Sequence, residues 1–418
     1  MQPAKRISTD AQAPSGPGRF VLGLGGTIDD EVVWDPQLIQ RLAIEHGLRR
    51  GDCDSRQPIR DERSLLAVIL GFALERSGGE RFVESIDVIT RFASKHDKTI
   101  TLGGTCVRAA LAMRTLGVRS TVHLVSIDST FRQLFPRDCD YISSATREGM
   151  YPHLIVQLPE TGRIELIDGP VSIEGPNRLI FVNDPPHIEM ALSPDLSEAV
   201  CRAQGVLISG LNVMNDPGLV DRRLQELRSA VAGRSPATVV LYEDAGFHTP
   251  SLHEAVRSAI ASMVDVYSMN EDELQSHLGR TVDLLDPAAV DEALRDLRVL
   301  IPGPAIVVHT RHWALAWGPR SPELAAALRG GVAAATARYL SGDDLTAELV
   351  AGIAELEPPP AGSAFAQAIE RIAAEPVACV PAYSLSVETP TTIGLGDCFV
   401  GGFLAALSTQ PSPERIPQ

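Results

Sequence analysis

The sequence predicts an α/β protein in which a doubly wound, mostly parallel sheet is joined to a smaller lid domain that contains strands. From residue 20 onward, short apolar and β-branched runs alternate with longer segments of helical periodicity, as in sheets covered by helices on both faces. Two stretches interrupt this succession. Residues 30–97 are charged and helix-rich, and residues 133–202 contain short alternating strands between Gly, Pro and Asn turns. Because both stretches flank a segment of parallel-sheet type, we interpret them as two insertions that together form the lid.

The composition is that of a globular protein with an acidic surface. The chain has 418 residues, of which 44% are hydrophobic, and this length is sufficient for two or three domains with ordinary cores. Its formal net charge of −16 repels phosphate backbones, so nucleic acid is not expected as a partner. No apolar run approaches the roughly 20 residues that a membrane-spanning helix requires. Six cysteines lie far apart without a CxxC pair, as expected for a cytoplasmic protein.

The predicted organisation consists of an N-terminal arm and two domains. Residues 1–18 lack apolar periodicity and are expected to be disordered. The large nucleotide-binding domain is assigned to residues 19–29, 98–132 and 203–418, and the lid to residues 30–97 and 133–202. Strands are predicted over residues 20–24, 98–102, 121–126, 205–209, 238–242, 265–268 and 305–309, with lid strands over 153–158, 163–167 and 178–182. Helices are predicted over residues 106–116, 221–232, 251–262, 271–278, 287–297, 322–328, 345–356 and 398–407.

The strongest chemical signal is the turn Gly394-Leu395-Gly396-Asp397, which leads into an apolar helix. Glycines allow backbone N–H groups to close around an anion, and a helix N-terminus adds a partial positive charge. Asp397 stands where a carboxylate can accept the proton of a hydroxyl that attacks a phosphate. The pattern indicates phosphoryl transfer, with Asp397 as the base and Gly394, Leu395 and Gly396 as the anion hole. A Gly-rich loop with Asp397 as an ordinary helix N-cap is the alternative.

This turn resembles the C-terminal motif of the ribokinase superfamily, and the form with Leu between the glycines is similar to the ADP-dependent glucokinase and phosphofructokinase family. Further segments resemble the family's motifs in the family's order: residues 21–29, 102–105, 175–180, 207–211, 268–274 and 307–310. The resemblance covers about residues 20–408. It implies a ribokinase-like fold and an ADP-dependent sugar kinase, for which we expect a monomer or a homodimer.

By this resemblance, Asn270 and Glu273 occupy the family's Asn-x-x-Glu position, which orders water around a magnesium ion on the nucleotide phosphates. Glu243 matches the acid of the family's His-x-Glu element, although Leu241 stands in place of the His. A carboxylate and an amide at the start of a helix suit a hard cation that keeps its waters. We therefore expect one Mg²⁺ held by Glu243, Asn270, Glu273 and Asp397. A helix cap followed by a solvated Glu is the alternative for Asn270 and Glu273.

The resemblance also places the acceptor sugar at the first strand and at the Gly-Gly turn. Asp29 offers two acceptor oxygens to sugar hydroxyls. Gly103 and Gly104, followed by Thr105, allow the backbone to approach the ring closely. The alternative is an ordinary turn after a buried strand.

Two lid residues and three further residues complete the expected site. Glu80 resembles a lid Glu that contacts glucose in the glucokinase branch, and His153 resembles a lid histidine at the sugar. A solvated Glu and a structural His are the alternatives. Arg178 of the Asn-Arg strand, together with His309 and Thr310, is assigned to the nucleotide.

Three positions depart from the family pattern on the sugar side. Gly25 and Thr27 stand where the family has Asn, and Thr105 stands where it has Gln or Asn. Each change removes an amide that would bond a sugar hydroxyl, which alters discrimination by about 1–3 kcal/mol. A fructose 6-phosphate acceptor would require a cluster of Lys or Arg, whereas residues 130–200 contain five scattered arginines and no lysine.

The expected reaction is therefore Mg²⁺-dependent transfer of the terminal phosphoryl group of ADP to a hydroxyl of an unphosphorylated, glucose-like hexose. An ATP-dependent sugar or nucleoside kinase of the wider superfamily remains open. So does a non-catalytic sugar-binding protein on a kinase scaffold, since the sugar-side amides and the His at position 241 are missing.

Overall fold

A computed structural model describes residues 19–383, 385, 391 and 393–409, and the arm expected over residues 1–18 lies outside the described residues. The strands are β1 (Arg19–Gly25), β2 (Thr27–Val32), β3 (Gly79–Phe82), β4 (Lys98–Gly103), β5 (Ser120–Leu124), β6 (Asp140–Ser143), β7 (His153–Leu158), β8 (Thr161–Leu166), β9 (Gly169–Glu174), β10 (Asn177–Val182), β11 (Ala203–Ile208), β12 (Val239–Glu243), β13 (Val266–Asn270), β14 (Ala305–His309), β15 (Trp313–Trp317) and β16 (Val377–Pro381). The helices are α1 (Pro36–Glu45), α2 (Glu62–Glu75), α3 (Ile86–Ala93), α4 (Thr105–Thr115), α5 (Ser129–Leu134), α6 (Pro185–Glu189), α7 (Leu196–Cys201), α8 (Pro217–Ala232), α9 (Pro250–Ala261), α10 (Glu271–Leu278), α11 (Pro287–Leu300), α12 (Ala325–Ser341), α13 (Ala347–Ala354), α14 (Pro360–Ile372) and α15 (Leu395–Ser408). Short 3₁₀ turns link several of these elements.

The larger sheet is doubly wound. Its strand order within the described residues is β16-β15-β14-β13-β12-β11-β1-β5-β6. Every pair from β14 to β6 is parallel, and β15 runs antiparallel to both of its neighbours. The chain passes outward from β1 in both directions, and ligand sites in such sheets lie where the order reverses, beyond the carboxyl ends of the strands. The predicted α/β fold class, a mostly parallel sheet with a smaller strand-containing lid, is confirmed.

The smaller sheet has the order β3-β10-β7-β2-β4, and β8 pairs with β9 in a separate hairpin. It differs from expectation at residues 98–103, which were assigned to the large domain but pair antiparallel with β2. The reverse holds for residues 140–143, which fall in the predicted lid segment but form the parallel edge of the larger sheet beside β5. Residues 98–100 are exposed, which is typical of an edge strand, and a short apolar run by itself does not show which sheet will accept it.

Aspartate caps define where many helices begin. The side chains of Asp35, Asp61, Asp128, Asp184, Asp216 and Asp286 accept hydrogen bonds from backbone N–H groups in the first turns of α1, α2, α5, α6, α8 and α11. Each cap satisfies donors that have no partner within the helix. Part of the chain's excess of acidic residues therefore caps the N-termini of helices.

Helix α12 extends well beyond the predicted residues 322–328. It continues through Gly330 and Gly331 because these residues lie against α15 rather than in a turn. A Cβ on Gly402 of α15 would collide with the carbonyl oxygen of Gly330 and would lie 2.5 Å from Ala334 Cβ. The glycines thus allow two helices to approach at backbone distance, and this contact supports the N-terminal loop of α15.

The hydrophobic core has three main parts. One cluster lies on each face of the larger sheet, and the third is formed in the lid by α1, α2 and α3 packed against the smaller sheet. The antiparallel strand β15, which sequence periodicity did not predict, begins at Trp313 and ends at Trp317. Both tryptophans are only 1% exposed. Within the part of the chain that the structure describes, no helix has the length and apolar character needed to cross a membrane.

Candidate active site

Three polar side chains stand at the carboxyl ends of adjacent parallel strands. Glu243 ends β12, Asn270 ends β13 and His309 ends β14. Asn270 and His309 are paired directly in the β13–β14 register. Because parallel strands end at one edge of the sheet, the topology brings together residues that the sequence separates widely.

Glu243 is buried and has only one of its two oxygens paired. Its Oε1 lies 2.8 Å from His309 Nε2, whereas Oε2 is buried without a hydrogen-bond partner among the described residues. The His309 ring stacks on Phe399 of α15, with ring centroids 4.5 Å apart. His309, expected at the nucleotide, thus supplies Glu243 with the imidazole that is missing at Leu241.

Asn270 and Glu273 form a capping box at the start of α10. The backbone N–H of Asn270 donates to Glu273 Oε2 at 2.6 Å, and its side-chain amide donates to Oε1 at 2.9 Å. The Asn270 side chain in turn caps the first turn of α10. Burial raises the pKa of Glu273 well above its usual range, and the nearby carboxylates of Glu243, Asp244 and Asp272 raise it further. The capping interpretation is therefore correct for the local structure, and the Glu273 carboxylate lies near that of Glu243.

The Gly-Leu-Gly-Asp turn forms the N-terminus of α15. Gly394 is the N-cap, with a left-handed φ of 73°, and Asp397 is the third residue of the helix. Asp397 is therefore not an N-cap, contrary to the alternative considered from the sequence. The first N–H groups of the helix, at Leu395 and Gly396, lack intrahelical acceptors and are available to an anion. Gly396 also lies close to the His309 ring, which connects this loop to Glu243.

The expected sugar residues converge where β2 and β4 meet. Asp29 of β2 is 6% exposed, and a Cβ on Gly103 would collide with its carboxylate. Gly104 has a φ of 88°, caps α4 and lies against the backbone of Gly26, and Thr105 is the first residue of the helix. These glycines are required because the turn lies directly on the carboxylate and on a neighbouring backbone.

Arg108 is a functional candidate that sequence reasoning missed. It lies in α4 and is buried, and its Nη2 donates to Asp29 Oδ2 at 2.9 Å. Its guanidinium also approaches Gly394 of the loop that begins α15. The sequence signal was weak, because an Arg within an apolar helix is distinguished only by the burial that the fold imposes.

A second cluster lies at the start of β7. His153 stands opposite Asp29 in the β2–β7 register, and its Nε2 lies 3.4 Å from Asp184 Oδ2. Burial alone would lower the pKa of His153, but Asp184, with Asp29 and Glu80 nearby, raises it above its ordinary value. His187 Nδ1 also contacts Asp184, at 2.6 Å.

The His187 ring occupies the space beside Gly25. A Cβ on Gly25 would collide with His187 Nε2. The imidazole therefore occupies the space that a side chain at position 25 would enter, and no motif in the sequence indicated this contact.

Glu80 joins the lid to the large domain. Its Oε2 lies 3.2 Å from His248 Nε2 in the loop after β12, and Phe82 contacts the same imidazole edge-to-face. Burial alone would raise the pKa of Glu80, but His248 outweighs it and the pKa is lowered. A cleft of about 1100 Å³ is lined by residues of both domains, among them Glu80, Arg178, Asn270 and Glu273.

Thr310 lies beside this region, but its hydroxyl is already engaged. The hydroxyl donates to the Trp313 carbonyl oxygen at 2.9 Å and accepts from the N–H groups of His312 and Trp313, each at 3.0 Å. It closes the β14–β15 turn, so the side chain expected at the nucleotide has a structural role here.

Asp244, His253 and His277 lie close enough together to hold a metal ion. Arg257 Nη1 is 3.3 Å from His277 Nδ1, and since a guanidinium only donates, this nitrogen is the acceptor. His277 Nε2 therefore carries the proton, which it donates to Asp244 Oδ2 at 2.7 Å. Tyr267 donates to the same oxygen at 3.1 Å. A protonated nitrogen has no lone pair for a metal, so we assign the cluster as a hydrogen-bond network.

Comparison with known proteins places these features in context. A sequence model described as the ADP-specific phosphofructokinase/glucokinase conserved region matches residues 19–349, a range that ends before Asp397. A phosphofructokinase from Pyrococcus horikoshii with AMP is similar in structure, with a TM-score of 0.72, 16% identity, and 94% of this chain and 98% of that chain covered. An ADP-dependent kinase in complex with fructose-6-phosphate and ADPβS has a TM-score of 0.71 and 13% identity, covering 96% and 95%. Adenosine kinase from Sinorhizobium meliloti is more distant, with a TM-score of 0.50 and 13% identity over 95% and 89%. No curated protein matches the sequence.

Proposed function

Since the chain belongs to the ADP-specific phosphofructokinase/glucokinase family, a family of ADP-dependent sugar kinases, we propose that it transfers the terminal phosphoryl group of ADP to a hydroxyl of a glucose-like hexose. The products are the sugar phosphate and AMP. The observation that carries the proposal is the position of Asp397 in the first turn of α15. On one side of this turn, Arg108 lies near Gly394 and hydrogen-bonds Asp29. On the other side, His309 lies near Gly396 and contacts Glu243. A base, an acceptor site and a carboxylate pair thus meet around one helix N-terminus.

In this proposal Asp29 accepts hydrogen bonds from sugar hydroxyls, and Gly103 and Gly104 bring the backbone against the ring. Glu80 and His153 approach the sugar from the lid. Asp397 takes the hydroxyl proton as the oxygen attacks the terminal phosphorus of ADP.

The phosphoryl oxygens are bound by the N–H groups at the start of α15, from Gly394 to Asp397, and Arg178 in the cleft binds the phosphates of the nucleotide. Closure of the lid over the cleft excludes water, which would otherwise compete with the sugar as the acceptor.

A divalent cation fits the carboxylates at the ends of the central strands. Glu243 Oε2 is buried without a hydrogen-bond partner among the described residues, and burial, with the carboxylates of Glu243, Asp244 and Asp272 nearby, raises the pKa of Glu273. Glu243 and Glu273, with Asn270 and Asp397, would hold Mg²⁺ directly or through water. When bound, Mg²⁺ would neutralise negative charge on the nucleotide phosphates.

The charges around the acceptor favour an unphosphorylated sugar. Asp29, Glu80 and Asp184 place carboxylates in this region, where they can accept hydrogen bonds from hydroxyls. The basic groups beside them are already paired with these carboxylates: Arg108 with Asp29, His153 with Asp184 and His248 with Glu80. Two of the lid-segment arginines are engaged elsewhere: Arg132 pairs with Glu148 and Arg163 with Glu165, all four side chains being exposed. Fructose 6-phosphate is nevertheless a specific rival, because one similar structure is a complex with that sugar.

The deciding experiment measures AMP and ADP by chromatography after incubation with Mg²⁺, one nucleotide and one acceptor. We expect AMP from ADP only when glucose or a related hexose is present. ADP formed from ATP would instead indicate an ATP-dependent kinase, and AMP formed only with fructose 6-phosphate would reverse the acceptor assignment. Sugar binding without turnover by either nucleotide would favour the non-catalytic alternative.

A further inference from the structure

Arg108 is a buried cation between the acceptor side and the catalytic loop. Its side chain is 10% exposed, and Nη2 donates to Asp29 Oδ2 at 2.9 Å. The same nitrogen lies 3.2 Å from Glu31 Oε1 and 3.3 Å from Thr101 Oγ1. Nη2 has two hydrogens for these three oxygens, so at least one bond is shared. Together the contacts hold the guanidinium in one orientation, which gives its other terminal nitrogen a defined direction.

That second nitrogen, Nη1, is directed at the loop that begins α15. A Cβ placed on Gly394 would lie 3.2 Å from Arg108 Nη1 and 3.5 Å from Asp397 Oδ2. The cation and the proposed base therefore approach the same point of the loop. Within the described residues, the hydrogen bonds of Arg108 all use Nη2, which leaves Nη1 available to a ligand.

The electrostatics of this region require a cation. Burial alone would lower the pKa of Arg108, but Asp29, Asp397 and Glu31 outweigh it and the group remains charged. Without Arg108, carboxylates would border the space between the acceptor and the loop, and these would repel an incoming phosphoryl group.

Among the described residues, Arg338 is a second buried arginine near the loop, and its side chain already has protein partners. Its Nε donates to the Ile393 carbonyl oxygen at 3.1 Å, and its Nη1 pairs with Asp343. Arg338 therefore stabilises the backbone of the loop, whereas Arg108 presents an unused donor to the reaction space.

We propose that Arg108 Nη1 binds the phosphoryl group during its transfer and that Arg108 is a catalytic residue; this inference rests on the proposed kinase function. The bond from the sugar oxygen to the terminal phosphorus of ADP forms while the bond from that phosphorus to the bridging oxygen breaks. The electron pair of the broken bond remains on AMP, and the hydroxyl proton passes to Asp397. The guanidinium stabilises the charge on the transferring oxygens, and its anchoring to Asp29 couples this contact to the acceptor site.

The test compares Arg108→Met and Arg108→Lys with Arg114→Met. Arg114 lies on the same helix in an exposed ion pair with Asp138, so it controls for loss of an arginine from α4. Wild-type activity with ADP and glucose, or with fructose 6-phosphate, is established first; inactivity of the wild type with both would count against the proposed function rather than against Arg108. We expect Arg108→Met to lower kcat by at least about a hundredfold, with KM for ADP changed less than about threefold, and Arg114→Met to behave like wild type.

A second measurement separates catalysis from support of the fold. Aluminium fluoride with AMP, Mg²⁺ and the acceptor imitates the transferring group, and we expect it to raise the Tm of the wild type and of Arg114→Met but not of Arg108→Met. An unchanged kcat, a raised acceptor KM with normal kcat, or a retained fluoride-dependent Tm shift would overturn the inference. If Arg108→Met does not fold, Arg108→Lys decides: a tenfold or larger loss of kcat at near wild-type Tm supports the contact, and a normal kcat refutes it.

Discussion

His309 Nε2 lies 2.8 Å from Glu243 Oε1 at the edge of the larger sheet, although 66 residues separate them in the chain. The pair occupies one oxygen of Glu243, and the other oxygen is buried without a hydrogen-bond partner in the part of the chain that the structure describes. The ring of His309 is held in turn by stacking on Phe399, so the helix that carries the proposed base also orients this carboxylate. The two parts of the proposed phosphate site are therefore joined by a continuous chain of contacts.

Replacement of this pair should change the requirement for Mg²⁺. We expect His309→Gln to raise the Mg²⁺ concentration at half-maximal rate by about 10–100-fold, because the imidazole orients a proposed ligand, and Glu243→Gln to raise it further. Activity measured over a Mg²⁺ titration tests this. His312→Gln, three residues away in the β14–β15 turn, serves as the control. A Mg²⁺ titration of Glu243→Gln that matches wild type would show that Glu243 is not a metal ligand.

Asp397→Asn should abolish turnover while binding persists. A carboxamide cannot accept the hydroxyl proton, so we expect kcat to fall by about 10²–10⁴-fold, with AMP and sugar affinities within about threefold of wild type by calorimetry. The exposed Asp344 provides the matched control, since Asp344→Asn makes the same change of charge away from the loop. Turnover that survives in Asp397→Asn would show that another group accepts the proton.

Glu80→Gln should weaken acceptor binding selectively. A charged acceptor of hydroxyl hydrogen bonds contributes about 1.5–3 kcal/mol, so we expect the KM for glucose to rise by about 10–100-fold while that for ADP is unchanged. Glu165→Gln changes an exposed lid Glu that pairs with Arg163 outside the cleft, and it should have no effect. A parallel rise in both KM values would indicate that the Glu80–His248 contact positions the lid instead of binding the sugar.

The close contact of α12 with α15 should not tolerate an added methyl group. Gly402→Ala places a Cβ against Gly330 and Ala334, and we expect a loss of about 1–3 kcal/mol in the free energy of unfolding. Gly352→Ala in α13 is the matched control, because nothing lies within 4 Å of its added Cβ. The control should gain up to about 1 kcal/mol from helix propensity. Denaturant titration of both variants measures the difference, and equal stabilities would contradict the packing argument.

His123 should make stability depend on pH between about 6.5 and 4. Burial, with a smaller contribution from His187, lowers the pKa of His123 from 6.5 to about 4. In this pH window the unfolded chain therefore binds a proton that the folded chain does not. The contribution of His123 to the free energy of unfolding is complete above the unfolded pKa and is lost as the pH falls. Integrated over the window, the loss is about 3 kcal/mol.

The comparison that isolates this residue uses His123→Gln, which retains an acceptor for the N–H of Ser193. Denaturant titrations at pH 7.5 and at pH 4 should show that the free energy of unfolding falls more in wild type than in the variant. Identical losses would mean that other groups account for the acid sensitivity.

Local sequence was sufficient to predict structure wherever one short segment contains both a turn and the helix that follows it. The Gly394–Asp397 turn and the Gly103-Gly104 turn are of this kind, since glycine spacing and a following helix are visible in a few residues. The residues that contact these segments in the folded protein could not be predicted from the sequence. Arg108 meets Asp29 across 79 residues. Such contacts depend on which strands become neighbours, and the placement of residues 98–103 in the smaller sheet shows that a strand's identity does not decide its sheet.

The sequence by itself determined the class of fold, the family, and the segments expected to act on a phosphoryl group, because periodicity and glycine-rich turns are local properties of the chain. Tertiary structure alone decided that His309 orients Glu243, that His187 occupies the space at Gly25, and that Arg108 stands between Asp29 and Asp397. These relations arise where parallel strands end at a shared edge and where buried charges must find partners across domains. The reason is that burial and opposite charge act through space, between residues whose separation along the chain carries no information about their contact.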